Sequence, residues 1–346
     1  MESTTPGQVS LLTRATPGQY LGVHAILDYG DPKAEFAVLR RSCGLFPLGW
    51  RSKVAVTGKD RVRWLHNMVT NNVRDLPLNR GNYNFVLNAQ GRILGDMYIY
   101  NRGESLVIDT DHSQVEPLLT AMKRFIIMDK VEMSVAPVTA FAICGPKAAD
   151  TLKASGTDTS GMEPLEVRDG GDEHAFVRGP ENKPGWYEWW LPIKKEGMTA
   201  IRIAPGEDAQ YVGTQALEWW RIARGIPQYG VDIRDRDLPQ ETGQMQALNF
   251  TKGCYIGQEI VERIRSRGQV HRKFTGFEFH DGLAEAGKYE SDGRVLAEIT
   301  SATTIPAAHG EKNIGLGYVR REAVVGTADV DLKGHKARLV DLPFAI

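Results

Sequence analysis

The spacing of apolar residues along the chain predicts an alternation of short helices and short strands. Apolar residues recur at helical intervals in residues 31–40, 60–69, 113–126 and 212–224. β-branched and aromatic residues dominate residues 53–56, 80–88, 93–100, 130–135, 138–143, 174–177 and 185–191. Gln90 and Gly91 form a predicted turn between two of these strands, so that pair is expected to be a hairpin. Because the long spacing of βαβ units is missing, the alternation predicts layered α+β structure.

Several helix boundaries are marked by capping residues. Asp31 can accept hydrogen bonds at a helix N-terminus, and Pro32 fits the first helical position. Gly44 is expected to stop this first helix. The sequence from Ser113 to Glu116 matches a capping box, which predicts the start of another helix at this point.

The pattern changes after residue 265. Short alternating segments at residues 272–279, 293–299 and 314–319 are separated by glycine turns and lack a helical period. Short strands at nearly regular spacing predict a small C-terminal β-barrel. A chain of 346 residues is long enough for two or three domains.

Two predicted strands carry residues that a strand does not require. Asp96 interrupts the strand at residues 93–100, where aspartate is disfavoured, so it is either a functional residue or a residue on the solvated face. Residues 185–191 (GWYEWWL) contain three Trp and one Tyr. These aromatic residues favour a core or edge strand, and the alternative is a stacking wall for a flat heterocycle.

Composition and charge exclude several classes of function. The chain is 42% hydrophobic and 25% charged with a formal net charge of −1, which is ordinary globular composition. Three scattered cysteines, Cys43, Cys144 and Cys254, indicate neither a disulfide framework nor a zinc site, and we expect no metal site. The sequence also lacks the G-x-G-x-x-G, P-loop, G-x-S-x-G and H-E-x-x-H motifs of common nucleotide-binding, hydrolase and metalloprotease sites.

The N-terminal sequence gives an expectation about the compartment. It lacks the basic and apolar regions of a secretory signal and is poor in the arginine of a transit peptide. No run approaches the 18 apolar residues of a membrane-spanning helix. We therefore expect a cytoplasmic protein without a membrane partner.

Residues 252–259 (KGCYIGQE) bring a cation, a thiol, a phenol, an amide and a carboxylate into eight positions with two glycines. Two glycines weaken either regular element, so we expect a loop that presents Cys254 near Lys252. A nearby cation favours the reactive thiolate form of a cysteine. The alternative is a buried cysteine that acts as a small apolar residue.

A run of basic residues follows this loop. Its members are Arg263, Arg265, Arg267, His271, Arg272 and Lys273. Such a run is usually a solvated face, and the alternative is a site that receives an anionic ligand tail through charge-assisted pairs. Because the whole chain is not basic, we expect no direct nucleic-acid binding.

The motif at residues 252–259 resembles the K-G-C-Y-x-G-Q-E signature of the YgfZ-type folate-binding proteins. These belong to the superfamily of the glycine-cleavage T-protein, the tetrahydrofolate-dependent aminomethyltransferase. Residues 221–233 (RIARGIPQYGVDI) are similar to the superfamily's R-x-E-x-G-x-P-x-Y-G-x-D-I. Residues 91–96 (GRILGD) resemble its G-[GR]-x-x-x-D strand, and residues 81–83 (GNY) resemble its G-x-Y. The resemblance extends over most of the chain.

This resemblance implies an α+β fold of three domains, arranged as a cloverleaf around a central folate pocket. Two intertwined, ferredoxin-like α+β domains are implied, one at residues 1–50 and 135–260 and the other at residues 51–134. A C-terminal β-barrel is implied at residues 265–346.

The resemblance also implies the residues of the site. Asp96 matches the aspartate that contacts the reactive nitrogens of folate, and Cys254 is the functional thiol, so these two are the expected catalytic residues. The expected residues of the tetrahydrofolate site are Tyr83, Asp96, Tyr98, Tyr187, Glu188, Arg221, Tyr229 and Lys252. A pterin is flat and rich in N–H donors, so aromatic walls and carboxylates suit it.

The implied function is that of a tetrahydrofolate-binding accessory factor for the assembly or repair of iron–sulfur proteins, in a branch also linked to tRNA modification. Folate and iron–sulfur client or assembly proteins are the implied partners, and we expect a monomer. The alternative is a tetrahydrofolate-dependent aminomethyltransferase or methyltransferase, because Asp96 is retained. Two departures bear on this choice: Ala223 replaces the Glu of R-x-E, and the transferases lack a counterpart of Cys254.

Overall fold

A computed structural model of the chain describes residues 14–171, 174–193, 209–268, 270–291, 294–308, 310–324, 329–332 and 334–346. The chain divides into two compact units. Unit 1 takes its described residues from Met1–Arg61, Leu76–Gly81 and Tyr98–Glu218, and unit 2 takes them from Val62–Asp75, Asn82–Met97 and Trp219–Ile346. Each unit therefore combines segments that are far apart in the sequence.

Six α-helices lie in the described part of the chain. They are α1 (Pro32–Arg41), α2 (Arg61–Met68), α3 (His112–Lys123), α4 (Ala148–Ala154), α5 (Thr214–Ala223) and α6 (Gln258–Arg267). Short 3-10 helices span Pro239–Thr242, Met245–Ala247 and Arg321–Val324. The Asp31 carboxylate accepts hydrogen bonds from the backbone N–H groups of Lys33 and Ala34, which confirms the predicted cap of α1. The apolar face of this helix buries Phe36 and Leu39.

The strands, in chain order, are β1 (Thr16–Tyr20), β2 (Val23–Asp28), β3 (Cys43–Pro47), β4 (Arg51–Thr57), β5 (Gly81–Leu87), β6 (Ile93–Asn101), β7 (Leu106–Asp111), β8 (Glu132–Val135), β9 (Val138–Cys144), β10 (Val167–Gly171), β11 (His174–Arg178), β12 (Trp186–Pro192), β13 (Ala209–Tyr211), β14 (Arg272–Phe279), β15 (Gly287–Ser291), β16 (Arg294–Ala307), β17 (Gly310–Arg320), β18 (Asp329–Leu332) and β19 (His335–Val340). They confirm the predicted hairpin segments and the aromatic strand, because β5, β6 and β12 fall where the sequence predicts them.

The described strands form four sheets. Their orders are β1-β2, β10-β11-β12-β9-β3-β13, β5-β6-β7-β4-β8 and β15-β16-β17-β14-β19-β18. The pairing of β13 with β3 is parallel, and β12 pairs with β9 in antiparallel register. This mixture of sheets with a few helices confirms the α+β class, whereas the cloverleaf and its domain boundaries stay predictions.

The C-terminal sheet belongs to unit 2 and encloses an apolar cluster. Phe277 from β14, Ile299 from β16 and Leu332 from β18 are buried together in it. The strands predicted after residue 265 are therefore confirmed. The order of the described strands is open, with β15 and β18 at its edges, so closure into a barrel stays a prediction.

Two predicted helix boundaries are wrong. α1 ends at Arg41, and Gly44 lies inside β3, where a Cβ would come within 2.6 Å of the Leu39 side chain. This glycine therefore serves the close packing of β3 on α1 rather than the end of the helix. α3 begins at His112, before the predicted Ser113, and its N-cap residue makes no side-chain capping bond. The predicted capping box does not form.

Candidate functional site

Asp96 lies in β6, and its carboxylate accepts a 2.6 Å hydrogen bond from the hydroxyl of Tyr83 in the neighbouring strand β5. Side chains alternate between the two faces of a strand. Leu94, Asp96 and Tyr98 share the half-buried face of β6, while the residues between them are buried. Asp96 is thus an oriented carboxylate on a half-buried surface rather than an isolated charge on a solvated face.

Tyr229 lies close to the same carboxylate in unit 2. Its hydroxyl donates a 2.8 Å hydrogen bond to the backbone carbonyl of Leu94. Burial, together with the negative charges of Asp96 and Asp235, raises the pKa of Tyr229 to about 12. The structure therefore brings together Tyr83, Asp96 and Tyr229, three of the residues expected in the folate site, and both phenol hydroxyls donate hydrogen bonds there.

In unit 1, Glu188 lies in β12 between two tryptophans. The indole N–H groups of Trp186 and Trp190 donate to its two carboxylate oxygens at 3.1 and 2.9 Å. The Lys53 ammonium lies 3.5 Å from one of these oxygens and 4.7 Å from the centre of the Trp190 ring. Both tryptophans are buried, so they orient the carboxylate as part of the strand's packing.

Lys53 also belongs to a buried ionic cluster that sequence reasoning missed. Its ammonium lies 2.7 Å from Asp109, which also pairs with Arg51 at 3.0 Å. Arg51 reaches Asp111 at 2.7 Å. Burial alone would raise the pKa of Asp109, but the charges of Arg51 and Lys53 hold that pKa below its usual range. The available signal in the sequence was the alternation of charged residues within the segments that form β4 and β7. These two strands pair Arg51 with Asp111 and Lys53 with Asp109.

Tyr187 and Glu188 are consecutive residues of β12, and their side chains point to opposite faces of the strand. Tyr187 is therefore buried in an apolar cluster with Ile143, Leu152 and Phe176. Tyr187 thus contributes to the core of unit 1, and its contact with folate stays a prediction.

Lys252 is buried in unit 2, and its ammonium donates to three backbone carbonyl oxygens. These belong to His66 at 2.5 Å, Val69 at 2.6 Å and Asn71 at 2.9 Å. They lie in the last turn of α2 and just beyond it, where helix carbonyls lack intrahelical partners. Burial, with the charge of Arg74 as a smaller cause, lowers the pKa of Lys252 to about 7. The cation is thus engaged by the end of a helix, and its predicted contact with folate stays a prediction.

Cys254 is exposed, which excludes the alternative of a buried apolar cysteine. The loop ends at Gly257, which caps α6 in the left-handed conformation with φ of 83°. A Cβ at this position would lie 2.5 Å from the carbonyl oxygen of Asn88, so only glycine fits. The expected loop is confirmed up to this glycine, and Gln258 and Glu259 form the first turn of α6.

Arg221 is buried in the last turn of α5. Its guanidinium lies 2.6 Å from the Asp232 carboxylate, and it also donates to the carbonyl of Ile226 and the hydroxyl of Ser301. These contacts tie α5 to the loop that follows it and to β16. Arg221 therefore stabilises the packing within unit 2, and its contact with folate stays a prediction.

Comparisons with known proteins agree with this architecture. Residues 17–170 match the family model described as the GCVT N-terminal domain. The crystal structure of glycine cleavage system aminomethyltransferase T from Bartonella henselae superposes with a TM-score of 0.84, covering 98% of this chain and 96% of that chain at 18% identity. The chain has the aminomethyltransferase fold. The matched residues include the strands that carry Tyr83 and Asp96, whereas the motifs at residues 221–233 and 252–259 lie outside the match.

Two groups of relatives resemble this chain to a similar degree. The iron–sulfur cluster assembly factor IBA57 homolog, mitochondrial, of Pyricularia oryzae is 28% identical over 87% of this chain and 77% of its own length. The aminomethyltransferase of Symbiobacterium thermophilum is 27% identical over 92% of this chain and 90% of its own length. Identity alone therefore does not separate the assembly factors from the transferases with this fold.

The described residues contain no group of three or more His, Cys, Asp and Glu side chains arranged to hold a metal ion. Among the described helices, none is long and apolar enough to cross a membrane. The described sites offer hydrogen bonding by oriented carboxylates and phenols, together with the exposed thiol of Cys254.

Proposed function

We propose that this protein binds a reduced folate such as tetrahydrofolate and acts as an accessory factor in the assembly or repair of iron–sulfur proteins. The observation that carries the folate part is the Asp96 carboxylate, oriented by the Tyr83 hydroxyl at 2.6 Å on the half-buried face of β6. The GCVT domain match and the aminomethyltransferase fold support this class of ligand.

The residues around Asp96 fit the chemistry of a pterin. An ionised carboxylate accepts hydrogen bonds from adjacent N–H groups, and the rings of Tyr98 and Tyr229 offer aromatic surface to a flat heterocycle. When bound, the folate supplies the capacity to carry a one-carbon group. Glu188 stays a predicted folate contact, and Trp186 and Trp190 hold both of its oxygens in a defined direction.

Calorimetric titration with tetrahydrofolate tests the folate part. We expect saturable binding by the wild type and a loss of affinity of roughly 10- to 100-fold in Asp96→Asn, because a hydrogen bond to a charged group is worth about 1.5–3 kcal/mol. The exposed Asp281 provides the matched control, and Asp281→Asn should bind like the wild type. Equal affinities of the wild type and Asp96→Asn would contradict the assignment of Asp96.

The accessory role rests on the exposed Cys254 in its glycine-hinged loop. One thiolate cannot complete the four-thiolate site of a cluster, so any cluster handled here is a client's cargo held with ligands from that client. We expect Cys254→Ser to fail to restore iron–sulfur enzyme activities in a strain that lacks the protein, while its affinity for tetrahydrofolate is unchanged. Full restoration by Cys254→Ser would refute the role of the thiol.

A folate-dependent aminomethyltransferase or methyltransferase is the second candidate, and the retained Asp96 favours it. Purified protein with tetrahydrofolate and an aminomethylated or methylated donor would then produce methylene- or methyl-folate, and Asp96→Asn would abolish the product. Turnover of this kind would refute the proposed accessory role and favour the transferase. Absence of turnover with intact folate binding would favour the accessory factor.

The proposal extends to partners and context. Iron–sulfur client or assembly proteins are the proposed partners, and a link to tRNA modification and a monomeric state are part of the same proposal. Size-exclusion chromatography with light scattering tests the monomer. The cytoplasmic location stays a prediction from the sequence.

A further inference from the structure

A cationic cleft lies in the C-terminal sheet of unit 2, apart from the residues assigned to folate and thiol chemistry. It has a volume of about 250 Å³ and is lined by Arg236, Arg272, Lys288, Val295, Leu296, Ala297, Glu298, Tyr318 and Arg320. Four of these side chains are cations and one is a carboxylate. The sequence left two alternatives for Arg272, a solvated face and an anion-binding site, and this cleft favours the anion-binding site.

The register of four neighbouring strands places the charges on one face of the sheet. Lys288 of β15 lies opposite Glu298 of β16, which lies opposite Tyr318 of β17. Arg320 is two residues beyond Tyr318 and so shares its face. Arg272 of β14 lies directly opposite Arg320. Carboxylates of Asp237, Glu241 and Glu298 compensate the charge of Arg272, so Arg320 is the member of this pair that is open to an added anion.

The inner part of the cleft is a built network rather than a set of loose surface side chains. Arg272 pairs with Asp237 at 2.5 Å and with Glu241 at 3.1 Å, and its guanidinium lies 4.4 Å from the centre of the buried Tyr318 ring. Glu298 accepts hydrogen bonds from Arg234 at 2.9 Å. Burial alone would raise the pKa of Glu298, but the Arg234 hydrogen bond and the neighbouring arginines hold that pKa below its usual range.

The outer part of the cleft has cations without compensating charge. Within the described ranges, Lys288 and Arg320 form no ion pair, and both are exposed at the rim. The cleft and the residues bonded to it contain five cations and three carboxylates. The cations are Arg234, Arg236, Arg272, Lys288 and Arg320, and the carboxylates are Asp237, Glu241 and Glu298. The excess is two positive charges.

We propose that this cleft binds the dianionic phosphate group of a small phosphorylated molecule. A phosphate monoester carries a charge of about −1.5 to −2 near neutral pH, which matches the excess of two positive charges. Guanidinium groups bind phosphate oxygens through paired N–H donors. Arg320 offers such a group at the rim, directly opposite Arg272, whose own donors are engaged by Glu241, Glu298 and Asp237. A nucleic-acid backbone fits less well, because each phosphodiester carries one charge and the whole chain has a formal net charge of −1.

Calorimetry on the full chain with phenyl phosphate tests the proposal, at pH 8 and constant ionic strength, where the monoester is a dianion. We expect saturable binding with one site per chain. Arg320→Ala should weaken it by about tenfold or more, and Lys288→Ala should weaken it less. Lys273→Ala is the matched control, because Lys273 is an exposed cation on β14 whose side chain alternates to the other face.

A variant that is expected to tighten binding, rather than weaken it, provides a second test. Glu298→Gln removes a carboxylate that occupies three arginines, so it should tighten binding of phenyl phosphate. Absence of saturable binding by the wild type would overturn the proposal, and so would equal affinities of the wild type and Arg320→Ala. Tighter binding of a short oligouridylate than of phenyl phosphate would replace it with a nucleic-acid surface. None of these outcomes depends on Asp96 or Glu188, so they are independent of the folate proposal.

Discussion

Replacing Lys252 with methionine tests whether this first residue of the motif at residues 252–259 stabilises the fold. The wild-type ammonium donates to the carbonyl oxygens of His66, Val69 and Asn71 at 2.5, 2.6 and 2.9 Å. Methionine has a similar length and apolar volume but no donor. The substitution therefore leaves three carbonyl oxygens at the end of α2 facing an apolar side chain.

The magnitude follows from these three acceptors. A buried acceptor that loses its donor costs about 1–3 kcal/mol, so three acceptors at the low end of this range predict a loss of about 3 kcal/mol. Relief of the cost of burying a cation opposes this loss, and that cost is visible in the pKa of Lys252, which burial lowers to about 7. The low end of the range is therefore the appropriate choice. Lys252→Arg should not restore stability, because a planar guanidinium does not match three converging acceptors.

The assay is urea unfolding followed by tryptophan fluorescence at pH 6, where Lys252 is mostly protonated. Lys273→Met, at an exposed position, is the matched control and should change the free energy of unfolding by less than about 0.5 kcal/mol. A loss below about 1 kcal/mol in Lys252→Met would refute the reasoning, because the carbonyl contacts would then contribute little. Retained tetrahydrofolate affinity in a variant that is destabilised as expected would separate the structural role of Lys252 from ligand contact.

Three further predictions concern His66, Gly257 and Asp109. Burial, followed by the charge of Lys252, lowers the pKa of His66 to about 4, below the unfolded value near 6.5. The contribution of neutral His66 to the free energy of unfolding is therefore complete above pH 6.5. It is lost as pH falls toward 4, by up to about 1.4 kcal/mol per pH unit. Urea unfolding of His66→Gln should lack this pH dependence. Gly257→Ala should cost about 2 kcal/mol or more in thermal or urea unfolding, because its φ is 83° and its Cβ meets a backbone carbonyl. Gly253→Ala, where a Cβ meets nothing within 4 Å, should be nearly neutral, and equal effects would contradict the backbone argument. Asp109→Asn should cost about 3 kcal/mol, the low end for breaking a buried ion pair, because Arg51 keeps Asp111 and Lys53 keeps only the more distant Glu188. An unchanged urea midpoint would show that this cluster does not support unit 1.

Local patterns predicted many of the elements of this fold. The cap at Asp31, the paired strands β5 and β6, the aromatic strand β12 and the helix α5 all depend on residues within one short segment. The predicted stop at Gly44 failed because that glycine is required by the packing of β3 on α1, a contact that no local pattern reports. The capping box at Ser113 failed because α3 begins directly after β7.

The candidate site could be predicted in part. Asp96 stood out because aspartate conflicts with its strand, and the motif order supplied Tyr83 and Glu188. The cluster of Arg51, Lys53 and Asp109 was missed because each charge is unremarkable in its own strand and becomes informative only when β4 pairs with β7. Such partners are separated by more than fifty positions in the sequence.

The sequence by itself therefore determined the α+β class, the strand that carries Asp96, and the loop that presents Cys254, because apolar periodicity, turn residues and a short motif are local properties. Only the tertiary structure decided which charges meet. It joined Tyr83 to Asp96, placed Tyr187 in the core, and directed the Lys252 ammonium to the end of α2. These outcomes depend on strand register and on the burial of polar groups. Both are set by pairing distant segments of the chain.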